Sequence, residues 1–348
     1  MIQPRVQGTE RETELERRLA LMPKAEIHVH LEGATAPEAS YAIARRNAVD
    51  LPVSSIEEWR RYFEFRDFPH FIDVYRNTVD TIRTTDDLAL MVAQFYVDQA
   101  RQNIRYSECF ISMSLHLRRL SAAEILDALA QGIERGQTVS SARVAFIADI
   151  SREDPHTQGD VLDLALWGKR RGLIIGLGLG GLEKEFPPHL FRETYARARD
   201  AGLHVVAHAG EAAGWESIRA SVDDLAAERI GHGIRIVDSP EYAAVMRERR
   251  IPFEVCPVSN YAIGSTPSDR PHPIRQMFDL GLRCTLNSDD PAMFSTDLAA
   301  QYGVLASQGF SWDELWQLGT QTLDATFLSD AEKAEYRREW EDFAASLG

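Results

Sequence analysis

The sequence has few cysteines, no long apolar segment and no excess of positive charge. Its three cysteines, Cys109, Cys256 and Cys284, are widely spaced and each lies in an apolar run, which argues against a disulfide framework and for buried thiols. No uninterrupted apolar stretch approaches the roughly 18 residues of a membrane-spanning helix. The start of the chain is charged throughout and lacks the apolar core of a signal peptide. We therefore expect a cytoplasmic protein.

The balance of charge is acidic. Lys and Arg number 38 and Asp and Glu number 53, so the formal net charge is -15. A field of this sign repels a phosphate backbone and an anionic membrane surface, so nucleic acids and membranes are poor partners. Hydrophobic residues make up 44% and charged residues 26% of the chain, which is typical of a globular protein and excludes disorder as its main state.

Short apolar runs rich in β-branched residues alternate with amphipathic stretches of helical spacing. The runs cover 25–32, 104–112, 144–150, 173–180, 204–211, 229–233, 252–260 and 283–290. Near-continuous apolar strands between helices indicate a parallel sheet, and eight such units close a (β/α)8 TIM barrel. We predict one barrel domain over 1–348. A helical segment at about 50–100, with a helix over 69–88, is predicted to be inserted between strands 1 and 2 as a lid.

Polar residues cluster where the predicted strands end, which is where barrels of this class place their active sites. His28 and His30 end the first run, and because side chains alternate along a strand, both point into the barrel mouth. His208 lies near the end of the fifth run, His232 in the sixth and Asp289 in the eighth. A single histidine is more often structural, but three imidazoles with one carboxylate suit Zn²⁺ and leave room for a water.

Five motifs, in this order and spacing, resemble those of the adenosine deaminase family of metal-dependent purine aminohydrolases: MPKAEIHVHLEG, HAGE, RIGHGIR, CPVSN and LNSDDPAMF. The similarity extends over about residues 20–340. The resemblance implies a (β/α)8 barrel with one Zn²⁺ per chain. It assigns the metal ligands as His28, His30, His208 and Asp289.

The resemblance also implies three catalytic residues. Glu211 matches the acid that protonates the purine, and His232 matches the imidazole beside the water at the metal. Zinc lowers the pKa of a water toward about 7, and protonation of purine N1 makes the carbon that bears the amino group electrophilic. His232 and Asp289 are expected to accept and orient the water proton before ammonia leaves. The alternative for Glu211 is a surface carboxylate after a strand.

The substrate-binding residues that the resemblance implies are His30, Gly181, whose backbone N–H donates to the ring, and Asp290 at the purine N7 edge. A turn residue before Pro291 is the alternative for Asp290. The first motif ends HLEG where adenosine deaminases usually carry aspartate, so Glu32 reaches one methylene further toward the ribose hydroxyls. With GLGLGGLE in the fourth run, this departure makes the chain look more like 6-aminodeoxyfutalosine deaminases or adenine deaminases.

Two arginines, Arg118 and Arg119, follow the second run. An arginine fork matches a carboxylate, and 6-aminodeoxyfutalosine carries a benzoate where adenosine has its 5′-hydroxyl. We predict that one of them contacts this group, with a solvated basic turn as the alternative. The inserted segment also carries an aromatic row that forms either an apolar lid over the purine or plain core: Phe65, Phe68, Phe71 and Tyr75.

The sequence therefore predicts a zinc-dependent aminohydrolase that acts on the 6-amino group of a purine nucleoside. The substrate is 6-aminodeoxyfutalosine, an intermediate of menaquinone biosynthesis, or adenosine. The alternatives are deamination of free adenine, a non-catalytic barrel that binds nucleosides, and a metal-dependent amidase or esterase. Base-flipping deaminases of nucleic acids use Pro-Cys-x-x-Cys, and no Cys-x-x-Cys occurs here. The oligomeric state stays open.

Overall fold

Each of the eight predicted runs forms a strand in residues 13–347, the part of the chain that the computed structural model describes. The strands are β1 (Lys24–His30), β2 (Ile104–Ser112), β3 (Arg143–Ser151), β4 (Ile174–Gly180), β5 (His204–Ala209), β6 (Arg229–His232), β7 (Pro252–Val255) and β8 (Arg283–Leu286). They follow one another in chain order, and each pairs in parallel with the next. The predicted (β/α)8 barrel is confirmed.

The barrel closes through the residues that follow β8. Asp289 forms a parallel bridge with Val29 of β1, and the backbone N–H of His30 donates to the carbonyl oxygen of Asp289 at 2.8 Å. All residues of β1 are buried, as expected for a strand covered on both faces. Closure therefore brings Asp289, far along the chain, beside His28 and His30.

Helices cover the outside of the barrel and its mouth. In chain order they are α1 (Glu14–Leu21), α2 (Pro37–Arg46), α3 (Ile56–Tyr62), α4 (Phe68–Val79), α5 (Thr85–Arg101), α6 (Met113–His116), α7 (Ala122–Gln137), α8 (Gln158–Arg170), α9 (Arg192–Asp200), α10 (Trp215–Asp224), α11 (Pro240–Arg249), α12 (Pro257–Ala262), α13 (Ile274–Asp279), α14 (Leu298–Ser307), α15 (Trp312–Ala325) and α16 (Asp330–Ser346). No helix in residues 13–347 is long and apolar enough to cross a membrane. The three cysteines are free and buried, as predicted.

Helices α2 to α5 lie between β1 and β2. The helix predicted over 69–88 is divided in two, because Thr84 and Asp87 form a capping box that starts α5 after α4 has ended at Val79. A separate aromatic core packs beneath α3 and α4; its buried members include Trp59, Phe63 and Phe71. This core fixes the inserted helices against the barrel.

Candidate active site

Four side chains predicted as metal ligands meet at the carboxyl end of the barrel. Asp289 Oδ1 lies 3.4 Å from His28 Nε2 and 3.3 Å from His30 Nε2. His30 Nε2 lies 3.2 Å from His208 Nε2. Each of the four residues offers one ligand atom, and these atoms all lie within 4.8 Å of one another. Three nitrogens and one carboxylate oxygen form the donor set of a catalytic zinc site.

The outer hydrogen bonds of two imidazoles turn their ligand nitrogens inward. His28 Nδ1 donates to Glu254 Oε2 at 2.7 Å, and His208 Nδ1 donates to the carbonyl oxygen of Leu179 at 3.1 Å. Each ring then presents an Nε2 lone pair to the cluster. His28 Nε2 is buried, and no group in the described chain forms a hydrogen bond with it. The cluster therefore fits a divalent metal ion.

Burial and neighbouring charges shift the protonation of these groups. Burial lowers the pKa of His28, but the adjacent carboxyl groups of Asp289 and Glu254 outweigh it and raise the pKa to about 9. Burial and the nearby His28 and His232 rings lower the pKa of His208 well below its usual range. Burial opposes ionisation of Asp289, yet the imidazoles around it hold its pKa well below the ordinary value. Metal binding displaces the proton of such an imidazole.

Glu211 is a buried carboxyl in the loop after β5. Glu183 holds this loop, because its carboxylate accepts hydrogen bonds from the backbone N–H groups of residues 210–213 at 2.6 to 3.2 Å. Burial, followed by the negative charges of Asp289 and Glu183, raises the pKa of Glu211 well above its usual range. A shift in this direction favours the protonated carboxyl group, as a general acid requires.

A chain of hydrogen bonds fixes the tautomer of His232. The backbone N–H of Ile274 donates to His272 Nδ1 at 3.1 Å, so His272 Nε2 carries the proton and donates to Asn260 Oδ1 at 3.1 Å. Asn260 Nδ2 then donates to His232 Nδ1 at 3.2 Å. His232 Nε2 consequently carries its hydrogen and lies 3.5 Å from Glu211 Oε1. Burial lowers the pKa of His232 to about 3, so the ring is neutral.

Three predicted substrate-binding residues, His30, Gly181 and Asp290, line one cavity with the metal cluster. The φ of Gly181 is +101°, a conformation that favours glycine. Asp290 packs against Gly33, and burial together with the charge of Asp289 raises the pKa of the Asp290 carboxyl. This shift favours the protonated form of Asp290, which can donate a hydrogen bond.

Glu32 lies behind the cavity wall and does not line the cavity. It is fully buried and accepts hydrogen bonds from the Ser112 backbone N–H at 2.9 Å, from His116 Nε2 at 2.8 Å and from the Tyr75 hydroxyl at 2.9 Å. Tyr75 and Ser112 line the cavity and Glu32 does not, so Glu32 supports the cavity wall through these hydrogen bonds.

Neither predicted arginine is placed at the cavity. Arg118 Nη2 lies 2.5 Å from Asp154 Oδ2, and Arg119 Nη2 lies 3.7 Å from Asp80 Oδ1. Both face carboxylates of the protein beside the mouth, because the short helix α6 turns the chain away after β2. Arg76 of α4 lines the cavity instead.

Several site residues were not singled out by the sequence patterns. Asp149 ends the third run, and Glu254 and Asn260 lie in the seventh, so the rule that located the histidines at strand ends could have found them. Asp149 is buried in the cavity wall, its Oδ1 has no hydrogen-bond partner in the described residues, and burial raises its pKa to about 7. Arg76 and Glu183 lie outside the strands, and no pattern pointed to them.

The cavity encloses about 580 Å³, including space open to solvent. Three residues of the predicted aromatic row, Phe68, Phe71 and Tyr75, line it. The fourth, Phe65, packs behind them on Phe71 and Phe294.

Comparison with known proteins agrees with this geometry. The sequence profile of the family described as Adenosine deaminase matches residues 23–342. The chain belongs to the adenosine deaminase family. The family predicted from the motifs is confirmed, and membership makes the chain a hydrolytic aminohydrolase.

Relatives within the adenosine deaminase family carry two different names. The aminodeoxyfutalosine deaminase of Streptomyces coelicolor is 36% identical over 333 residues, which cover 94% of this chain and 86% of the relative. The adenine deaminase of Cupriavidus necator is 33% identical over 330 residues, 93% of each chain. The crystal structure of adenine deaminase from Arthrobacter aurescens superposes with a TM-score of 0.87 at 30% identity and covers 94% of this chain and 99% of that one.

A further structure, of an amidohydrolase from Burkholderia ambifaria with bound Zn, superposes with a TM-score of 0.88 at 28% identity. It covers 99% of this chain and 98% of its own. Both crystal structures superpose on this chain over nearly its whole length. The fold and the family are thus settled independently of the site geometry.

Proposed function

We propose that the chain is a zinc-dependent deaminase of a purine nucleoside, 6-aminodeoxyfutalosine or adenosine, which releases ammonia and the 6-oxo purine. The observation that carries this proposal is the position of Glu211, a buried carboxyl group with a raised pKa, in one cavity with His30, His208 and Asp289 of the four-residue cluster. The Zn-bound structural relative supports zinc as the metal. The aminodeoxyfutalosine deaminase relative supports the nucleoside.

Each of the site residues has a separate role in activating or orienting the purine. His28, His30, His208 and Asp289 would hold zinc, which when bound would supply a Lewis acid and lower the pKa of a water toward about 7. Glu211 donates its proton to N1, which makes C6 electrophilic. Asp290, which is also protonated, donates a hydrogen bond to N7. The backbone N–H of Gly181 donates to the ring and orients it.

The tautomer of His232 changes the role expected for it. Because His232 Nε2 carries a hydrogen and the ring is neutral, this residue donates a hydrogen bond to the attacking water instead of taking its proton. The ionised Asp289 is then the proton acceptor, and its Oδ2 lies 3.9 Å from His232 Nε2. Protonated Glu211 and ionised Asp289 thus act as acid and base.

Arg76 is the arginine best placed to meet a substrate carboxylate. It projects from α4 into the cavity, where its Nη2 lies 3.2 Å from Glu153 Oε1 and 3.3 Å from Asp154 Oδ2. Its Nε is buried and makes no hydrogen bond in the described residues, so donor capacity remains. Helix α4 also supplies the aromatic wall, and we propose that the inserted helices act as a lid over the substrate.

Replacement of Arg76 tests this contact. Arg76→Gln should lower kcat/KM for 6-aminodeoxyfutalosine about ten- to hundredfold, the effect of one hydrogen bond to a charged group, and leave adenosine turnover nearly unchanged. Arg119→Gln, which alters an exposed arginine outside the cavity, is the matched control. Equal losses on both nucleosides would remove the carboxylate contact.

Free adenine is the second candidate substrate, favoured by the adenine deaminase relatives at 33% identity. Initial rates of ammonia release from 6-aminodeoxyfutalosine, adenosine and adenine, with metal analysis of the same preparation, separate the candidates. We expect the highest kcat/KM on a nucleoside and about one zinc per chain. A higher kcat/KM on adenine would select the second candidate, and no ammonia from any purine would contradict both.

A further inference from the structure

A line of buried ionic groups runs from the metal cluster toward the opposite end of the barrel. Glu254 Oε2 accepts from His28 Nδ1 at 2.7 Å, and Glu254 Oε1 lies 2.6 Å from Arg229 Nε. Arg229 Nη1 in turn donates to Glu108 Oε2 at 2.5 Å. None of the four side chains is more than 1% exposed. These contacts join β1, β7, β6 and β2 through the inside of the barrel.

The far end of this line is anchored to the turn between α15 and α16. Glu108 Oε1 accepts from the backbone N–H of Phe327 at 2.6 Å and from the Tyr106 hydroxyl at 3.1 Å. Arg229 Nη1 also donates to the carbonyl oxygen of Ala325 at 3.0 Å, and its guanidinium lies 3.8 Å above the Phe327 ring. The Arg229 guanidinium is thus fixed by contacts with Glu108, Ala325 and Phe327.

Arg229 lies between the two carboxyl groups of this line and contacts both, so it fixes the position of Glu254 relative to Glu108. Glu254 Oε2 accepts the hydrogen bond from His28 Nδ1, which keeps the Nε2 lone pair on the side of the metal and makes the ring a better ligand. Arg229 itself touches no metal ligand.

We propose that Arg229 is a positioning residue of the metal centre, which acts by holding the Glu254 side chain aligned against His28. The inference rests on the metal centre proposed above. It assigns Arg229 a role in metal affinity although its side chain points away from the cavity. It also makes the turn between α15 and α16 part of the support of that centre.

Zinc affinity, measured by competition with a chromophoric chelator, is the main test. Glu254→Gln and Arg229→Met should each weaken zinc binding about ten- to hundredfold, the usual effect of losing an outer-shell partner. Arg229→Lys should give a smaller loss, because an ammonium keeps the charge but cannot contact both carboxylates as a planar fork does. The absorption spectrum of the Co²⁺-loaded variants should change, since it reports ligand geometry.

A double variant distinguishes action through Glu254 from a general loss of stability. If Arg229 acts through Glu254, the combined Arg229→Met and Glu254→Gln variant should bind zinc no more weakly than the worse single variant. Lys24→Met is the control. Lys24 is also a buried cation on a barrel strand, but it donates only to the carbonyls of Met22 and Gln102 in the described residues, so this variant should unfold earlier and bind zinc like the wild type.

The measurements distinguish a failure of this inference from a failure of the proposed metal centre. Variants that unfold earlier yet keep wild-type zinc affinity and Co²⁺ spectra, or losses that add in the double variant, would reduce Arg229 to a structural residue. A wild-type protein that binds no zinc would overturn the metal centre and this inference together. If Arg229→Met does not fold, Arg229→Lys and Glu254→Gln still decide the question.

Discussion

At the scale of single residues, the site shifts the pKa values of three neighbouring carboxyl groups in opposite directions. Burial and the charge of Asp289 raise the pKa of Glu211 and of Asp290, whereas the surrounding imidazoles hold the pKa of Asp289 low. Environments that push neighbouring pKa values apart are how one site holds both an acid and a base. The three carboxyl groups therefore have different roles although they lie within one cavity.

Glu211→Gln tests the acid directly. The amide keeps the shape but cannot give a proton to N1, so we expect kcat to fall about 10²- to 10⁴-fold while zinc content stays unchanged. Ammonia release and metal analysis measure the two quantities. Glu185→Gln, at an exposed glutamate, should behave like the wild type. Residual activity within a few fold of the wild type would exclude Glu211 as the proton donor.

The pH profile tests the cause of the raised pKa of Glu211. Activity should fall on the alkaline side as Glu211 loses its proton. The negative charge of Glu183 raises this pKa, so Glu183→Gln should lower it and shift the alkaline limb of kcat/KM to lower pH. A limb that stays in place, or one that persists in Glu211→Gln, would assign it to another group.

At the scale of elements, the functional residues lie where strands give way to loops. His232 and Asp289 both adopt left-handed φ values, 58° and 65°, which non-glycine residues rarely occupy. These conformations turn the chain so that the side chains face inward at the end of β6 and after β8. Such strain persists only where the surrounding structure imposes it.

The loop after β1 must leave room for the loop after β8. A Cβ built on Gly33 would lie 1.7 Å from Asp290 Oδ1, so Gly33→Ala should displace the Asp290 carboxyl. We expect kcat/KM to fall about 10²-fold, as for a reacting group misplaced by about 1 Å, with zinc bound normally. Gly159→Ala is the control, because no atom lies within 4 Å of its new Cβ. Full activity in Gly33→Ala would show that Asp290 can move without consequence.

At the scale of the whole molecule, one cation would tie together strands from both ends of the chain. The proposed ligands come from β1, β5 and the segment after β8, so an ion bound among them joins the first and last strands of the barrel. A ligand that binds only the folded state stabilises it, by about 2.7 kcal/mol at a hundredfold excess over Kd.

Chelation should therefore lower Tm by several degrees, and added zinc should restore it. Thermal unfolding of the chelated and reloaded protein by circular dichroism measures the shift. Asp289→Asn, which removes the anionic ligand, should show a much smaller zinc-dependent shift. Equal Tm values for the chelated and zinc-loaded wild type would contradict a metal centre that bridges the strands.

Much of the fold and of the metal cluster could be predicted because each rests on a local pattern. The eight apolar runs mark parallel strands buried on both faces, and alternation along β1 aims His28 and His30 the same way. The break between α4 and α5 was missed, because a capping box ended a pattern whose apolar spacing continued. Arg118 and Arg119 could not be placed, because local spacing does not show which carboxylates a long side chain will meet.

The sequence by itself determined the class of the barrel, the family and the residues able to bind a metal, because strand periodicity and motif order are properties of the chain read along its length. Only the tertiary structure showed that Glu32 supports the cavity wall, that Arg76 lines the cavity, and that Arg229 contacts Glu254, the hydrogen-bond partner of His28. These assignments depend on burial and on contacts between residues distant in the chain. Such contacts form only once the barrel has closed.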